Sequence, residues 1–189
     1  GDWCGHDQPG VRGRRPKDAS WRPRVLAGSD CTYGADKDSD RRSWKEEMDR
    51  GFDLCVETYR RGHPVIWFSF GVHRQGALAD ELARRGLPEL CPVYLDGAGR
   101  EFTRLMMGEW GRWCELDVPL NLGGVAFIKN KAMRQKILGS THGYAAITTP
   151  GMGGPGGIGT EWRREALPDP DAAVVFTGYC AQDSDGARI

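Results

Sequence analysis

The chain has 189 residues, 39% of them hydrophobic and 28% charged, with seven Trp. That composition supports one domain or one and a half at roughly 100–150 residues per domain, and it excludes a disordered polar tail. Twenty-six Lys and Arg balance 26 Asp and Glu. A molecule-wide basic field is therefore excluded, any polyanion site must be a local patch, and no apolar run approaches the roughly 20 residues of a membrane span.

Gly1-Asp2-Trp3-Cys4 carries neither an initiator Met nor a signal-peptide layout, which reads as an internal piece of a longer chain. Residues 5–20 are rich in Gly, Pro, Arg and Asp without period and read as a loop. Val25-Leu26-Ala27 reads as a short strand running into Asp30-Cys31-Thr32-Tyr33-Gly34. Ser39 or Asp40 can cap a helix whose inward stripe is Trp44, Met48, Phe52, Cys55 and Tyr59, stopped by Gly62 and Pro64. Val65-Ile66-Trp67-Phe68 predicts a buried strand. A helix over 74–85 follows, turned inward by Ala77, Leu78 and Leu82 and ended by Gly86 and Pro88. Pro92-Val93-Tyr94-Leu95 predicts a third strand ending at Asp96-Gly97.

Phe102, Leu105, Met106, Trp110 and Trp113 predict a helix over 100–113, whereas 114–128 has no clear period. A short helix over 129–138 and a strand over 144–149 lead to the Gly-rich loop 151–159. A last helix near 161–166 and a strand over 172–177 complete the pattern. Helices alternate with strands that are continuous apolar runs. The expected fold is therefore α/β, a mostly parallel sheet with helices on both faces. Ligands of such sheets sit beyond the carboxyl ends of the strands. Here those ends carry Asp30, Thr32 and Tyr33; Ser69 and Phe70; Asp96; Thr149 and the Gly loop; and Gly178 and Tyr179.

The six Cys, at 4, 31, 55, 91, 114 and 180, form no C-x-x-C pair, so a zinc ribbon or thioredoxin-type site has no support. Cys55 and Cys91 fall in apolar surroundings where a thiol serves as a small hydrophobe, and a reduced, cytoplasmic setting is the preferred reading. His63 and His142 read as turn residues, with no H-x-H or H-E-x-x-H company to build a zinc site. Asp2, Cys4, His6 and Asp7 form either a plain polar loop or one edge of a metal site completed elsewhere. Arg60-Arg61, Arg84-Arg85 and Lys129-Lys131-Arg134-Lys136 read as solvated helix-end charge. Arg74 differs, since it follows a strand end and opens a helix, a good position for a phosphate.

Gly151-Met152-Gly153-Gly154-Pro155-Gly156 satisfies G-x-G-x-x-G after a strand, but Pro155 interrupts it and no acid closes the next strand. It reads as a surface loop, as a glycine backbone that a phosphodiester approaches closely, or, least favoured, as a nucleotide cradle.

Six segments in order resemble those of the β-CASP group of metallo-β-lactamase-fold nucleases, the ribonuclease J-like enzymes and the mRNA 3′-end cleavage endonuclease among them. Gly1-Asp2 looks like the end of S-G-D, and Asp30-Cys31-Thr32-Tyr33-Gly34 is similar to E-S-T-Y-G. Phe68 to Arg74 resembles P-A-F-A-V-G-R, and Pro92 to Gly97 resembles P-V-Y-x-D-S/G. Thr149 to Pro155 is similar to S-G-M-L-x-G-G-P, and Val174 to Gly186 to V-x-x-x-G-Y-Q-A-E-G-T-L-G. The chain departs from the pattern at His73, where the family has Gly, and at Asp183 and Asp185. Its Gly loop is two residues short after Met152.

The resemblance implies a β-CASP specificity domain over 36–189 behind a remnant of the metallo-β-lactamase half over 1–35. It implies single-stranded RNA, or DNA, threading between this domain and the missing half over two zinc ions that activate water. It makes Asp2 the metal ligand and Asp30 the catalytic-site carboxylate that orients a ligand histidine. Ser69, Arg74 and the Gly151, Met152, Gly153 and Gly154 backbone become phosphate contacts. Thr32 joins the substrate rim, and Tyr33 and Tyr179 either stack bases or pack the edge. One carboxylate cannot hold two metals, so the fragment alone is expected to be inactive. Apolar surface left by the missing half favours a homo-oligomer. The alternatives are a non-catalytic scaffold of the same fold and a nucleotide-binding α/β module.

Overall fold

Ser43 starts the first helix by a reciprocal lock. Its Oγ accepts the Glu46 N–H at 3.2 Å while the Glu46 carboxylate accepts the Ser43 N–H at 2.6 Å. The helix, α1, spans Trp44–Arg60 in a computed structural model that describes residues 43–113, 120–178 and 180–189. The cap is therefore Ser43 rather than Ser39 or Asp40. Only Ser43 has a Glu three residues on to complete the lock. The buried positions are Met48, Gly51, Cys55 and Thr58, and Trp44, expected inward, is half exposed in the first turn. Gly51 is required by a close approach: a Cβ there would lie 2.6 Å from the Trp67 ring.

Strand β1, Val65–Phe68, is buried at all four positions. Helix α2, Arg74–Arg84, ends at Gly86 in the left-handed region, and a four-residue helix, α3, Leu87–Leu90, begins at once. Pro88 therefore sits in a first turn, where its missing N–H costs nothing, and does not stop a helix. Strand β2, Val93–Leu95, is followed by α4, Gly99–Trp113. Strand β3, Val125–Phe127, emerges from the stretch without clear period, and Asn130 caps α5, Lys131–Leu138, by accepting the Met133 N–H at 2.9 Å. Strand β4, Ala145–Thr148, α6, Gly159–Ala166, and β5, Ala173–Phe176, complete the order.

All five strands are parallel, in the order β3-β2-β4-β1-β5. One face packs Val65, Trp67, Val93, Leu95 and Ile147 against Met48, Cys55, Leu82 and Leu87 of α1 to α3. The other packs Ile66, Phe68 and Ala146 against Ile137 of α5 and Trp162 of α6. The molecule is thus α/β with helices on both faces of a parallel sheet. Cys55 and Cys91 are free thiols within the first core. Among the described residues no helix is long and apolar enough to cross a membrane.

Topology fixes where a ligand fits. The chain leaves β1 toward α2 on one face and crosses β4 to reach β2. It leaves β4 toward α6 on the other face and crosses β1 to reach β5. Neighbouring strands β1 and β4 thus send their loops to opposite faces, which opens a crevice between residues 69–73 and 149–158.

Candidate nucleic-acid interface

The crevice is lined by backbone before it is lined by side chains. Ser69 N–H reaches Thr148 O at 2.9 Å, and Thr177 donates from both N–H and Oγ1 to Phe68 O at 3.0 Å, which locks the ends of β4, β1 and β5 together. Phe70 then stands between two glycines. A Cβ on Gly151 or on Gly178 would lie 2.8 Å from its ring. The Arg74 guanidinium lies over the same ring, 5.5 Å from its centroid. Arg74 is exposed, and among the described residues it meets no carboxylate. A cation stacked on an aromatic face and open to solvent is suited to a phosphate beside a base.

The residue that aims Arg74 is strained. His73 has φ 65° and ψ −56°, and Arg74 N–H turns back to Val72 O at 2.7 Å, a γ-turn around a non-glycine residue. Its side chain supplies no cap to α2. Replacement by Gly, the residue the resembled motif carries here, is expected to raise stability by about 1 kcal/mol through relief of that backbone strain. Chemical denaturation of His73→Gly measures it, and an unchanged or lower midpoint contradicts it.

The glycine loop is tied at its base and open at its tip. Gly153 N–H bonds Pro150 O at 3.0 Å, Met152 O accepts from Gly186 at 2.9 Å, and Arg163 joins Gly153 O to the Asp185 carboxylate, 2.7 Å away. The Thr149–Pro150 peptide is cis. Gly151 and Gly153 are buried, whereas Gly154, Gly156 and Gly157 have nothing near their missing side chains. Close backbone approach is possible at the tip.

Beneath the rim lies a locked polar cluster. Asp96, closing β2, is fully buried. One of its oxygens accepts from Arg134 Nε at 2.6 Å and Trp162 Nε1 at 2.9 Å, and the other from Gly97 N–H at 2.9 Å. Arg134 is itself only 5% exposed, which corrects its reading as solvated helix-end charge. Its guanidinium is held above the ordinary value, first by the hydrogen bond to Asp96 and against the opposing effect of burial. Gln75 Nε2 donates to Asp96 O at 2.5 Å and to Ile147 O at 2.9 Å, pinning β2 to β4.

Of the residues singled out in the sequence, Arg74, Gly151, Met152 and Gly153 meet around Phe70 and β5's end, and Gly154 follows at the open tip of the loop. Ser69 is adjacent but fully buried, its hydroxyl without a partner, so it supports the rim from below. Asp2, Asp30, Thr32, Tyr33 and Tyr179 lie outside the described residues. The sequence placed Phe70 on the rim but gave no sign of its glycine-flanked seat, a contact among residues far apart in the chain.

The described rim does not fit a metal ion by itself. Asp96, Glu101, Glu161 and Asp185 are each engaged by arginine. The one His/Asp group among the described residues with metal-like spacing, His63, Asp169 and Asp171, is at the opposite edge, before β1 and β5. There His63 Nδ1 lies 2.7 Å from Asp169 and Nε2 3.8 Å from Asp171, a closed turn in which the hydrogen bond from His63 holds the Asp169 carboxyl below its usual range.

A family model described as the Beta-Casp domain matches residues 77–189. No curated protein matches the chain.

Proposed function

Because the chain belongs to the Beta-Casp domain family of nucleic-acid-processing nucleases, we propose that its strand-end rim grips single-stranded RNA for a zinc-dependent ribonuclease. The observation that carries this reading is Phe70 with Arg74 stacked on it, held at the crevice between β1 and β4 with open glycine backbone alongside. A base stacks on the aromatic edge, the guanidinium meets the adjoining phosphate, and the loop tip offers N–H groups without side chains in the way. Any zinc-activated water would be supplied by ligands outside the described residues, and the part assigned to this rim is to bind and orient the strand.

The test is fluorescence anisotropy with a labelled oligouridylate of about 12 nucleotides, within the range of known single-strand sites. Phe70→Ala and Arg74→Gln are each expected to weaken binding roughly 10-fold, equal to about 1.4 kcal/mol, without cleavage of the probe by any form of the 189-residue chain. Undiminished binding by both variants would falsify the site, and zinc-dependent cleavage by the chain would overturn the division of labour. Thermal stabilisation by NAD or ATP, with none from RNA, would instead favour a nucleotide module.

A further inference from the structure

The charge along the rim is uneven although the whole chain is neutral. Past β3's carboxyl end stand Lys129 and Lys131, both exposed, with no ion pair among the described residues. Beside them Arg100 donates to Ile128 O, and Arg104 lies over Phe127, the last residue of β3, 5.3 Å from its ring centroid. Both arginines share a single carboxylate, Glu101, at 3.0 and 2.8 Å. Among the described residues, four cations therefore gather with one acid at this corner. Several other basic residues are neutralised locally, Lys45 by Asp49, Arg50 by Glu47, Arg84 by Asp80, and Arg85 by Glu81 and Asp49, whereas Arg60, Arg61, Lys136, Arg164 and Arg188 are exposed with no ion pair among the described residues. Of the inner acids of the rim, buried Asp96 is matched by Arg134, which also reaches the more exposed Glu161 at 3.4 Å and leaves the two acids with one net negative charge. Beyond β5, in contrast, Asp183 is exposed with no ion pair among the described residues.

We propose that this corner is a second phosphate platform, so that a single RNA strand held at Phe70 and Arg74 runs from β1 over β4 and β2 to Lys129 and Lys131 past β3, away from Asp183. The inference rests on the rim's being the RNA-gripping surface and adds the strand's direction and far anchor. Three inter-strand steps of about 4.8 Å separate β1 from β3, about 14 Å along the sheet, a span that a few nucleotides of a single strand can cross. Lys131 stands at the first position of α5, where a cation opposes the helix dipole. A bound phosphate there would reverse that local disadvantage.

The experiment reads the salt dependence of binding to the same oligouridylate. Each phosphate contact on a single strand contributes about −0.7 to the slope of log K against log salt. Lys129→Gln/Lys131→Gln is expected to make the slope shallower by about 1.4 and to weaken binding about 25-fold at roughly 0.1 M salt. Lys136→Gln, near the far end of the same helix, leaves the slope unchanged, and thermal melts verify that each variant is folded. An unchanged slope in the double variant, with the Arg74→Gln effect intact, overturns the platform and spares the rim. Equal effects from Lys136 and the paired lysines indicate diffuse charge attraction and overturn the platform as well. No effect of Arg74→Gln or Phe70→Ala removes the rim reading and this inference together.

Discussion

Asp96→Ala is expected to remove about 3–5 kcal/mol of folding stability, the range for stripping one partner from a buried ion pair. The magnitude follows from what is stranded. Arg134 would keep its charge at 5% exposure, with only the more distant Glu161 carboxylate, 3.4 Å away, to face it. Trp162, fully buried, would lose the acceptor for its indole N–H. The loss should appear as a lower midpoint in urea with little change in slope. A compensated variant separates charge from packing: Asp96→Leu with Arg134→Met removes both charges and should recover much of the stability. A loss below about 1 kcal/mol from Asp96→Ala would show that the pair is not desolvated, contrary to its burial.

Gly99→Ala is expected to destabilise by about 1–3 kcal/mol and to weaken RNA binding at the same time. Gly99 begins α4 where that helix meets the loop after β1, and a methyl there would collide with Gly71 O and the Gln75 side chain. The obstacle on one side is backbone, which cannot rotate away, and the segment it would displace leads directly to Arg74. The same helix holds its own control. Gly108 is exposed with nothing within 4 Å of its missing Cβ, so Gly108→Ala should stabilise by about 0.8–1.0 kcal/mol through helix propensity. Parallel denaturation curves decide it: similar effects from the two substitutions would contradict the close approach at position 99.

How much of this was legible in the sequence depended on how far apart the causes lay. Val65 to Phe68 declared itself because a strand covered on both faces must be apolar at every position, and the helix of Met48 and Cys55 declared itself by period. Strand β3 did not, since three residues behind Gly123-Gly124 carry too little pattern and only Val125 is fully inward. Pro88 misled because a helix terminator and a first-turn residue look alike without the backbone. Arg134 misled for a different reason: its helix offers Lys131 and Lys136 as company, and the aspartate that pairs with it lies far away in the chain, at the end of β2. The gathering of Arg74 and Met152 on one rim was foreseen from strand ends alone. The seat of Phe70 between Gly151 and Gly178 was not, because only the folded sheet brings those residues together.

The pairing of β1 with two strands from the far half of the chain has a consequence for biosynthesis. Val65 lies beside Ala145 on one side and Ala173 on the other, so as the polypeptide leaves the ribosome this wholly apolar segment waits without hydrogen-bonding neighbours until β4 and then β5 have been translated. Such long-range closure is slow and leaves a sticky edge open to other nascent chains in the meantime.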